Sequence, residues 1–377
     1  MSLFADFVPV GQLFLKSKDS GKVIDSIYFV GQDNDIDDIP AGAVVLFSVQ
    51  KPQLADMVDT FPIRIRKRFY DLYLPSELPI RIYDLGVFFT GNNKSKTLTN
   101  VINHLISKKI TILLISAENH IHTLLYKGLE KALKSVSITE ASTLLPFSES
   151  HHEEIEQPSW LKMIITKQGN KLFNFSNLGM QAFLNPQENQ DLFRKLLFDS
   201  TRMGALQHDI NIAEPTVRDA DLFIWDMNIV KASDAPGVLK PNPNGLSGFD
   251  ACRFSRFAGI AERNKIFCIN NIGEHDDDAM VTSFLIAQMF WFYMEAFFSR
   301  MNESPKLNHK DFNTFVVESE KEGTFIFLQS RISDRWWVLL DRQNGKKMTI
   351  SCLKKDYIDM TEGEIPERMM RFLNKIS

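Results

Sequence analysis

The chain has 377 residues, so we expect one large domain or two and enough length to bury a substantial core. Hydrophobic residues make up 44% and charged residues 24% of the sequence, which excludes a disordered or fibrous protein. The 47 acidic and 43 basic residues give a net charge of −4, which offers no basic surface to a nucleic acid.

Short β-rich segments alternate with helical segments over most of the chain, which is typical of a parallel sheet covered by helices on both faces. Strands are predicted over 26–30, 43–48, 111–116, 135–139, 162–166, 222–226 and 265–270. Helical periodicity predicts helices over 62–74, 98–108, 120–134, 189–197, 248–261 and 279–300. Ser247 and Asp250 have capping-box spacing at the start of the helix over 248–261.

The pattern changes after about residue 303. Antiparallel strands are predicted over 314–317, 323–331, 335–341 and 348–352, with a hairpin turn at Asn344-Gly345 and a final helix over 366–376. We therefore predict an α/β domain, residues 1–303, and a β-rich extension that ends in a helix, residues 304–377. The sequence leaves open whether this extension is an independent domain or a flap on the main sheet.

The cysteine pattern and the apolar segments predict where the protein resides. The three cysteines stand at wide, irregular spacing, which favours a reducing compartment over a disulfide framework. The first residues lack the features of a secretory signal, so we expect a cytoplasmic protein. The most apolar segment, 283–298, falls short of the roughly 20 residues that span a bilayer. It is interpreted as a buried helix, and no membrane association is predicted.

Ligands of open parallel α/β sheets bind at the carboxyl ends of the strands, so the residues after each predicted strand are candidates for a site. Polar residues follow three strands, within 115–120, 138–143 and 224–228. The last segment continues into a turn-rich loop, 233–248, whose prolines and glycines could form a rigid rim. Asn242 and Asn244 offer amide groups to a ligand there, while a plain connection is the alternative interpretation.

In motif order and spacing, residues 40–300 resemble the arginase, agmatinase and formiminoglutamase family, the ureohydrolases. The resemblance is firmest from Asn177-Leu178-Gly179 to Phe297, and 214–221 leads into the strand that ends at Asp226. The loop 234–248 occupies the place of the family's substrate loop. An arginase-like branch with a C-terminal extension is the most similar. The resemblance implies a three-layer α/β/α sandwich with a mainly parallel sheet of about eight strands, and a homo-oligomer.

Active members of this family hold two manganese ions between Asp and His side chains at these strand ends, and a bridging hydroxide attacks the amidine carbon. The family's Gly-Gly-Asp-His falls on 116–119 and places Asn119 at the His ligand, although a shift of one residue would place His120 there. The Asp-Ala-His-x-Asp run falls on 139–143, where Glu140 alone keeps a charge.

Two further family motifs fall near the next strands. Asp-x-Asp falls on Asp226 and Asn228, and the family's Glu falls on Asn271. Asp226 is thus the one ionised family ligand that remains, and neutral amides cannot offset the charge of two divalent ions. We therefore expect neither metal nor cofactor. The residues predicted to bind a ligand are Asn119, Asn228, Asp234, Asn242, Asn244 and Asn271.

Three functions stay open. The first is a ureohydrolase-fold protein with a degenerate metal site that binds a small molecule or a protein. The second is a manganese-dependent hydrolase of linear amidine C–N bonds, which would use Asp226, His120 and Glu140. The third is a structural subunit that assembles with an active paralogue.

Several other polar or aromatic clusters have a plain structural interpretation. We interpret 151–154, which contains two His and two Glu, as a solvated loop, and the acidic run 274–278 as a helix start. His120 and His122 should point to different faces of a helix. Trp336 and Trp337 could form an aromatic contact surface for a partner; in the alternative interpretation, one lies in the core and the other covers an edge.

Overall fold

A computed structural model describes residues 4–14, 20–31, 36–52, 59–75, 77–91, 94–118, 120–147, 159–273, 276–303, 305, 310–319, 322–341 and 347–376. The strands of the large sheet are β1 (Phe7–Val8), β2 (Ile27–Phe29), β3 (Val44–Gln50), β4 (Ile82–Phe89), β5 (Thr111–Ser116), β6 (Val136–Ala141), β7 (Leu172–Met180), β8 (Asp199–Arg202), β9 (Leu222–Asp226) and β10 (Ile266–Asn270). The helices around it are α1 (Phe61–Tyr70), α2 (Lys94–Ser107), α3 (Ile121–Ala132), α4 (Trp160–Ile165), α5 (Gln187–Lys195), α6 (Met203–His208), α7 (Glu214–Arg218), α8 (Gly248–Ile260) and α9 (Val281–Phe298).

These ten strands form one sheet in the order β1-β4-β3-β5-β10-β9-β6-β7-β8, and β2 also pairs with β4. The pairing of β1 with β4 is antiparallel, and the other described pairings are parallel. The predicted α/β class with a mainly parallel sheet is therefore confirmed.

The central strand β9 shows how the sheet separates two apolar cores. Phe223 and Trp225 face a core shared with α1, α8 and α9, whereas Leu222 and Ile224 face a core shared with α2, α3 and α4. Successive side chains of a strand point to opposite faces, so a strand covered on both faces is apolar at nearly every position. The predicted three-layer arrangement follows from this double burial.

Among the described residues, α9 is the one helix that is long and apolar enough to cross a membrane by length and composition. Of this segment, 56% is buried inside the fold. Met289, Phe290 and Tyr293 lie in the core that α9 shares with α1 and α8. Its packing is that of a core helix, which agrees with the prediction.

The predicted strand over 162–166 is wrong, because this segment belongs to α4. The Ser159 hydroxyl accepts a hydrogen bond from the Lys162 backbone N–H at 3.3 Å and caps the helix. Leu161 and Ile164, which are three positions apart, are both buried on one helical face. The β-branched residues at its end therefore belong to a short capped helix, whose packing outweighs their strand propensity.

Strands β4, β7 and β8 were missed, because they carry buried polar side chains that disguise a strand. In β4, Asp84 forms a buried ion pair with Arg66 of α1, in which Nε and Oδ2 are 2.8 Å apart. In β7, Asn174 donates to Ser176 at 3.0 Å, and Asn177 is fully buried. Such positions break the apolar pattern although the strand lies inside the sheet.

The C-terminal part forms a second, antiparallel sheet of β11 (Phe312–Ser319), β12 (Gly323–Ser330), β13 (Trp336–Asp341) and β14 (Lys347–Cys352), in that order. The helices α10 (Lys354–Thr361) and α11 (Glu367–Ile376) follow. The four predicted strands and the last helix are confirmed, whereas α10 was not predicted. The predicted turn at Asn344-Gly345 lies outside the described residues, and the domain boundary at 303 stays a prediction.

The second sheet packs on the main domain through polar groups of α7 and the residue after it. The buried Arg218 guanidinium donates to the carbonyl oxygens of Trp336, at 2.9 Å, and Cys352, at 3.2 Å. It also lies 4.5 Å from the centre of the Trp337 ring. Trp336 points the other way and stacks on Tyr357 of α10. Both tryptophans are buried, so the interpretation of the pair as an exposed aromatic contact surface is wrong.

Candidate functional site

Strands β5, β10, β9, β6 and β7 lie side by side and parallel, so the residues at their carboxyl ends share one edge of the sheet. We call this the carboxyl edge. Asp226 ends β9 and stands opposite Asn270 of β10, and Glu140 of β6 stands opposite Asn177 of β7. The register of parallel strands thus assembles polar residues that are far apart in sequence.

Asp226 is buried and its carboxylate is well supplied with hydrogen bonds. The Ser142 hydroxyl donates to Oδ2 at 3.0 Å, and the Asn228 backbone N–H donates to Oδ1 at 2.9 Å. The Asn271 side chain contributes a further hydrogen bond, which together with the other two opposes the effect of burial on the pKa. Burial dominates, so the pKa of Asp226 is raised. This arrangement fits a structural carboxylate as well as a binding group.

Glu140 is 6% exposed and lies near Asp226. Burial, and then the charge of Asp226, raise its pKa well above the usual range. Its Oε2 atom has no hydrogen-bond partner among the described residues. Burial and the neighbouring carboxylate therefore both favour the neutral form of Glu140.

Three buried atoms, in two residues on the same side of the sheet as Glu140, also lack partners within the described ranges. One is Oδ1 of Asn177, whose Nδ2 donates to the carbonyl oxygens of Ser142 and Leu144. The other set is both ring nitrogens of His122, which is 1% exposed and packs edge-on against Trp160 at 5.1 Å. Trp160 in turn contacts Phe175, two residues before Asn177 on the same face of β7.

His120 and His122 lie in different surroundings, as predicted. His120 is half exposed, and its Nδ1 atom is 2.8 Å from Oε2 of Glu118. Burial, with a smaller contribution from His120, lowers the pKa of His122 to about 3. His122 is therefore neutral. Asn119, which was also predicted to bind a ligand, lies outside the described residues.

The loop 233–248 is held in place by its own polar groups and by Gln181. Nδ2 of Asn242 donates to Oε1 of Gln181 at 3.1 Å, and Nε2 of Gln181 donates to the Asn244 carbonyl at 2.5 Å. Asp234 accepts from the Gly248 backbone N–H at 2.9 Å, at the start of α8. The predicted rim is thus a well-fixed loop, in which the Asn242 amide and Asp234 already have structural partners.

Asn228 and Asn271 also support the backbone around Asp226. Oδ1 of Asn228 accepts from the Lys240 backbone N–H at 2.7 Å. Asn271 has a left-handed backbone, with φ of 56°, as the chain leaves β10, and its carbonyl accepts from the Leu239 backbone N–H at 3.3 Å. Asn tolerates this conformation better than most residues.

The predicted caps at the starts of α8 and α9 are confirmed. Ser247 and Asp250 form a reciprocal capping box at α8, with both hydrogen bonds at 3.1 Å. At α9, Asp277 accepts from the backbone N–H groups of Val281 and Thr282, both at 2.8 Å. Residues 274 and 275 and the run 151–154 lie outside the described residues.

Gln181 and Ser142 were not predicted as site residues. The signal that could have found Gln181 is a polar residue directly after the apolar end of β7, which was missed because β7 was not predicted. Ser142 lies two residues beyond β6, where its hydroxyl reaches Asp226 of the neighbouring strand.

The resemblance implies a dinuclear manganese site at this edge, which needs several Asp and His side chains as ligands. In the described part of the chain, no group of three or more His, Cys, Asp and Glu side chains could hold a metal ion. Asp226, Glu140 and His120 therefore do not form a ligand group there. The side chains that the structure describes do not supply the ligand set of a dinuclear manganese centre.

Comparison with known proteins gives the fold a family context. No protein-family model and no curated protein matches the chain. Formimidoylglutamase from Bacillus subtilis subsp. subtilis str. 168 is similar with a TM-score of 0.64 and 16% identity, over 76% of this chain and 95% of that chain. Trypanosoma cruzi formiminoglutamase, determined with Mn2+, gives a TM-score of 0.61 and 14% identity, over 75% of this chain and 100% of that chain.

An agmatine ureohydrolase of Thermoplasma volcanium gives a TM-score of 0.55 at 16% identity, over 74% of this chain and 94% of that chain. The antiparallel sheet β11–β14 lies beyond the matched region. The chain therefore has the fold of the arginase superfamily, extended by a C-terminal four-stranded antiparallel sheet.

Proposed function

We propose that this protein uses the arginase fold without a dinuclear manganese centre and binds a small polar ligand at the carboxyl edge without hydrolysing it. The observation that carries the proposal is the composition of that edge, where amide and hydroxyl groups surround two carboxyl groups, those of Asp226 and Glu140. The fold alone does not decide function, so the argument has to come from these groups.

Electrostatics gives the main argument against two metal ions. Two divalent cations about 3.5 to 4 Å apart repel each other by roughly 17 kcal/mol at an effective dielectric constant of about 20. Several carboxylates usually offset such repulsion. Here Asp226 already accepts hydrogen bonds from Ser142, the Asn228 backbone and Asn271, and neutral amides supply no compensating charge.

The unpartnered atoms support a ligand. Buried polar atoms are nearly always hydrogen-bonded, and each exception calls for an explanation such as a bound molecule. Glu140 Oε2, Asn177 Oδ1 and both nitrogens of His122 are buried without partners among the described residues. Glu140 and Asn177 stand opposite each other, and His122 packs on the same side of the sheet through Trp160 and Phe175. In its neutral form, which burial favours, Glu140 offers both a donor and an acceptor, as the neutral His122 does. A small uncharged molecule that carries both kinds of group, such as a carboxamide, complements this set.

The metal part of the proposal is tested by metal analysis of the purified protein with and without added manganese, together with an amidine-hydrolysis screen. We expect less than one equivalent of manganese and no manganese-dependent release of urea, ammonia or formamide. Bound metal near unit stoichiometry, with turnover abolished by Asp226→Ala, would overturn the proposal in favour of the amidine hydrolase.

The ligand part is tested by thermal shift with three molecules of nearly the same shape: acetamide, acetamidine and acetate. We expect acetamide to stabilise the wild type more than the cation or the anion does. Glu140→Gln, which keeps a neutral group of the same shape, should retain the effect, and Glu140→Leu should lose it. Equal shifts with all three molecules, or an unchanged shift in Glu140→Leu, would contradict a ligand at Glu140.

A further inference from the structure

The two edges of the C-terminal sheet differ in how they are covered. At the β14 edge, the Ser351 backbone N–H donates to Asp219 at 3.1 Å, and Arg368 of α11 donates to the Ser351 carbonyl. Asp219 also accepts from Arg368, at 2.5 Å. At Ser351 the β14 edge is therefore covered by the main domain and by α11, and β11 forms the opposite edge.

The register shows which backbone groups of β11 point outward. Arg331 donates to the Asp311 carbonyl at 2.9 Å, and Phe312 stands opposite Ser330. Hydrogen-bonded pairs alternate along an antiparallel ladder, so the odd-numbered residues of β11 bond to β12. The N–H and C=O groups of Thr314, Val316 and Glu318 consequently point away from β12. Within the described part of the chain, none of these three residues forms a hydrogen bond outside its own sheet.

This edge lacks the features that usually protect an exposed strand. The pairing of β11 with β12 runs without a bulge from residue 312 to residue 319. The strand contains neither proline nor lysine, and Glu318 is its one charged residue. Val316, in the middle of the strand, is 60% exposed. A regular edge of this length with a single charged residue is a ready template for another strand.

We propose that β11 pairs antiparallel with β11 of a second copy of this chain, with the two-fold axis at Val316, and joins two four-stranded sheets into one. In this register Val316 stands opposite its counterpart, and Thr314 stands opposite Glu318 of the other copy. The glutamates are thus not opposed, and the two exposed valines cover each other. A second copy suits the edge because this register is self-complementary.

The size of the contact sets the expected strength. With the axis at Val316, residues 313 to 319 pair with their counterparts, and seven residues at about 3.3 Å each give a contact roughly 23 Å long. One strand pair buries less than the roughly 1,200 Å² at the lower end of stable interfaces. The pairing should therefore be reversible and dependent on concentration, whatever assembly the arginase-fold domain itself forms.

Sedimentation velocity of the full chain over a range of concentrations tests the pairing. Val316→Lys places two ammonium groups opposite each other, and Thr314→Pro removes an outward donor while it leaves the bonds to β12 in place. Both variants should halve the mass that the wild type reaches at high concentration. Ile332→Lys is the matched control, since Ile332 is 55% exposed in the turn between β12 and β13, away from β11. This variant should sediment like the wild type.

A cross-linking experiment gives a readout that does not depend on other interfaces. Residues opposite each other in a hydrogen-bonded pair have Cα atoms about 5.5 Å apart, within the range that a disulfide bridges. Val316→Cys should form a covalent dimer with diamide, and Ile332→Cys should not. The three native cysteines are buried. A wild type with the same mass as Val316→Lys, or no cross-link in Val316→Cys, would overturn the proposal.

Discussion

Replacing Asp84 by Asn should destabilise the protein strongly, because it breaks a fully buried ion pair. The Arg66 guanidinium donates to the Asp84 carboxylate at 2.8 and 3.1 Å, and Tyr70 and the Gly86 backbone N–H also donate to it. Both charged side chains are inaccessible to solvent. Removing one partner of a buried pair costs about 3 to 5 kcal/mol, because the other charge stays buried without compensation.

The corresponding shift in melting temperature follows from the size of the chain. An unfolding entropy of about 2.1 cal/mol/K per residue gives about 0.8 kcal/mol/K for 377 residues. A loss of 4 kcal/mol, the middle of that range, therefore corresponds to a fall of about 5 °C. Calorimetry at neutral pH measures this fall, and chemical denaturation measures the free energy of unfolding.

Asp59→Asn is the matched control, since Asp59 pairs with Arg64 and Lys67 beside the same helix at 3.1 and 3.0 Å but is 53% exposed. Exposed pairs contribute about 0 to 1 kcal/mol, so the melting temperature should hardly change. The double variant Asp84→Asn with Arg66→Met should recover part of the loss, because it removes the unpaired charge. Equal effects of Asp84→Asn and Asp59→Asn would refute the reasoning.

The other predictions concern the titratable and interface groups. His122 should weaken the fold in acid, because the unfolded chain takes up a proton at this residue below about pH 6.5 and the folded chain only near pH 3. Lowering the pH from 6.5 to 4 should therefore reduce the free energy of unfolding by about 3 kcal/mol. His122→Phe should show a flatter dependence of this free energy on pH in chemical denaturation. Glu140 should have the opposite effect on the pH dependence of stability. Its pKa is raised in the folded state, so the free energy of unfolding should fall as the pH rises above about 4.5. Glu140→Gln should remove this fall in the same titration, and an unchanged profile would show that Glu140 is not protonated. Arg218→Met should loosen the C-terminal sheet and speed limited proteolysis around it, whereas Arg194→Met, at an exposed pair, should leave cleavage unchanged.

The central strands and their helices could be predicted because their signals are local. Segment 222–226 is apolar at four successive positions before Asp226, and this run is enough to identify a strand covered on both faces. The same holds for β10. The caps of α8 could be predicted because Ser247 and Asp250 are three positions apart.

Strand β4 could not be predicted, because the arginine that compensates the buried charge of Asp84 lies eighteen positions earlier in the chain. A local pattern shows only a charge inside an apolar run, and the compensating Arg66 is visible only in three dimensions. Strand β7 fails for the same reason, since Asn177 finds its partners in the loop after β6.

The places of Asp226 and Glu140 in the sheet could be predicted, whereas their role in a site stays a prediction. Asp226 and Glu140 follow from their places at strand ends, and the register of the sheet brings them to one edge. The contact of Ser142 with Asp226, and that of Gln181 with the loop 233–248, depend on which strands are neighbours. No local sequence pattern indicates that β9, β6 and β7 are neighbours in this order, so these contacts could not be predicted.

Manganese binding to a variant with one carboxylate restored tests the central claim most directly. Asn228→Asp changes one amide into a carboxylate of the same shape, and its side-chain oxygen can still accept from the Lys240 backbone N–H. Isothermal titration of the wild type with manganese should show no saturable binding, while Asn228→Asp should bind measurably, though with less than two ions for each chain. Saturable binding of two ions by the wild type would contradict the claim that this carboxyl edge has too little negative charge for a dinuclear centre.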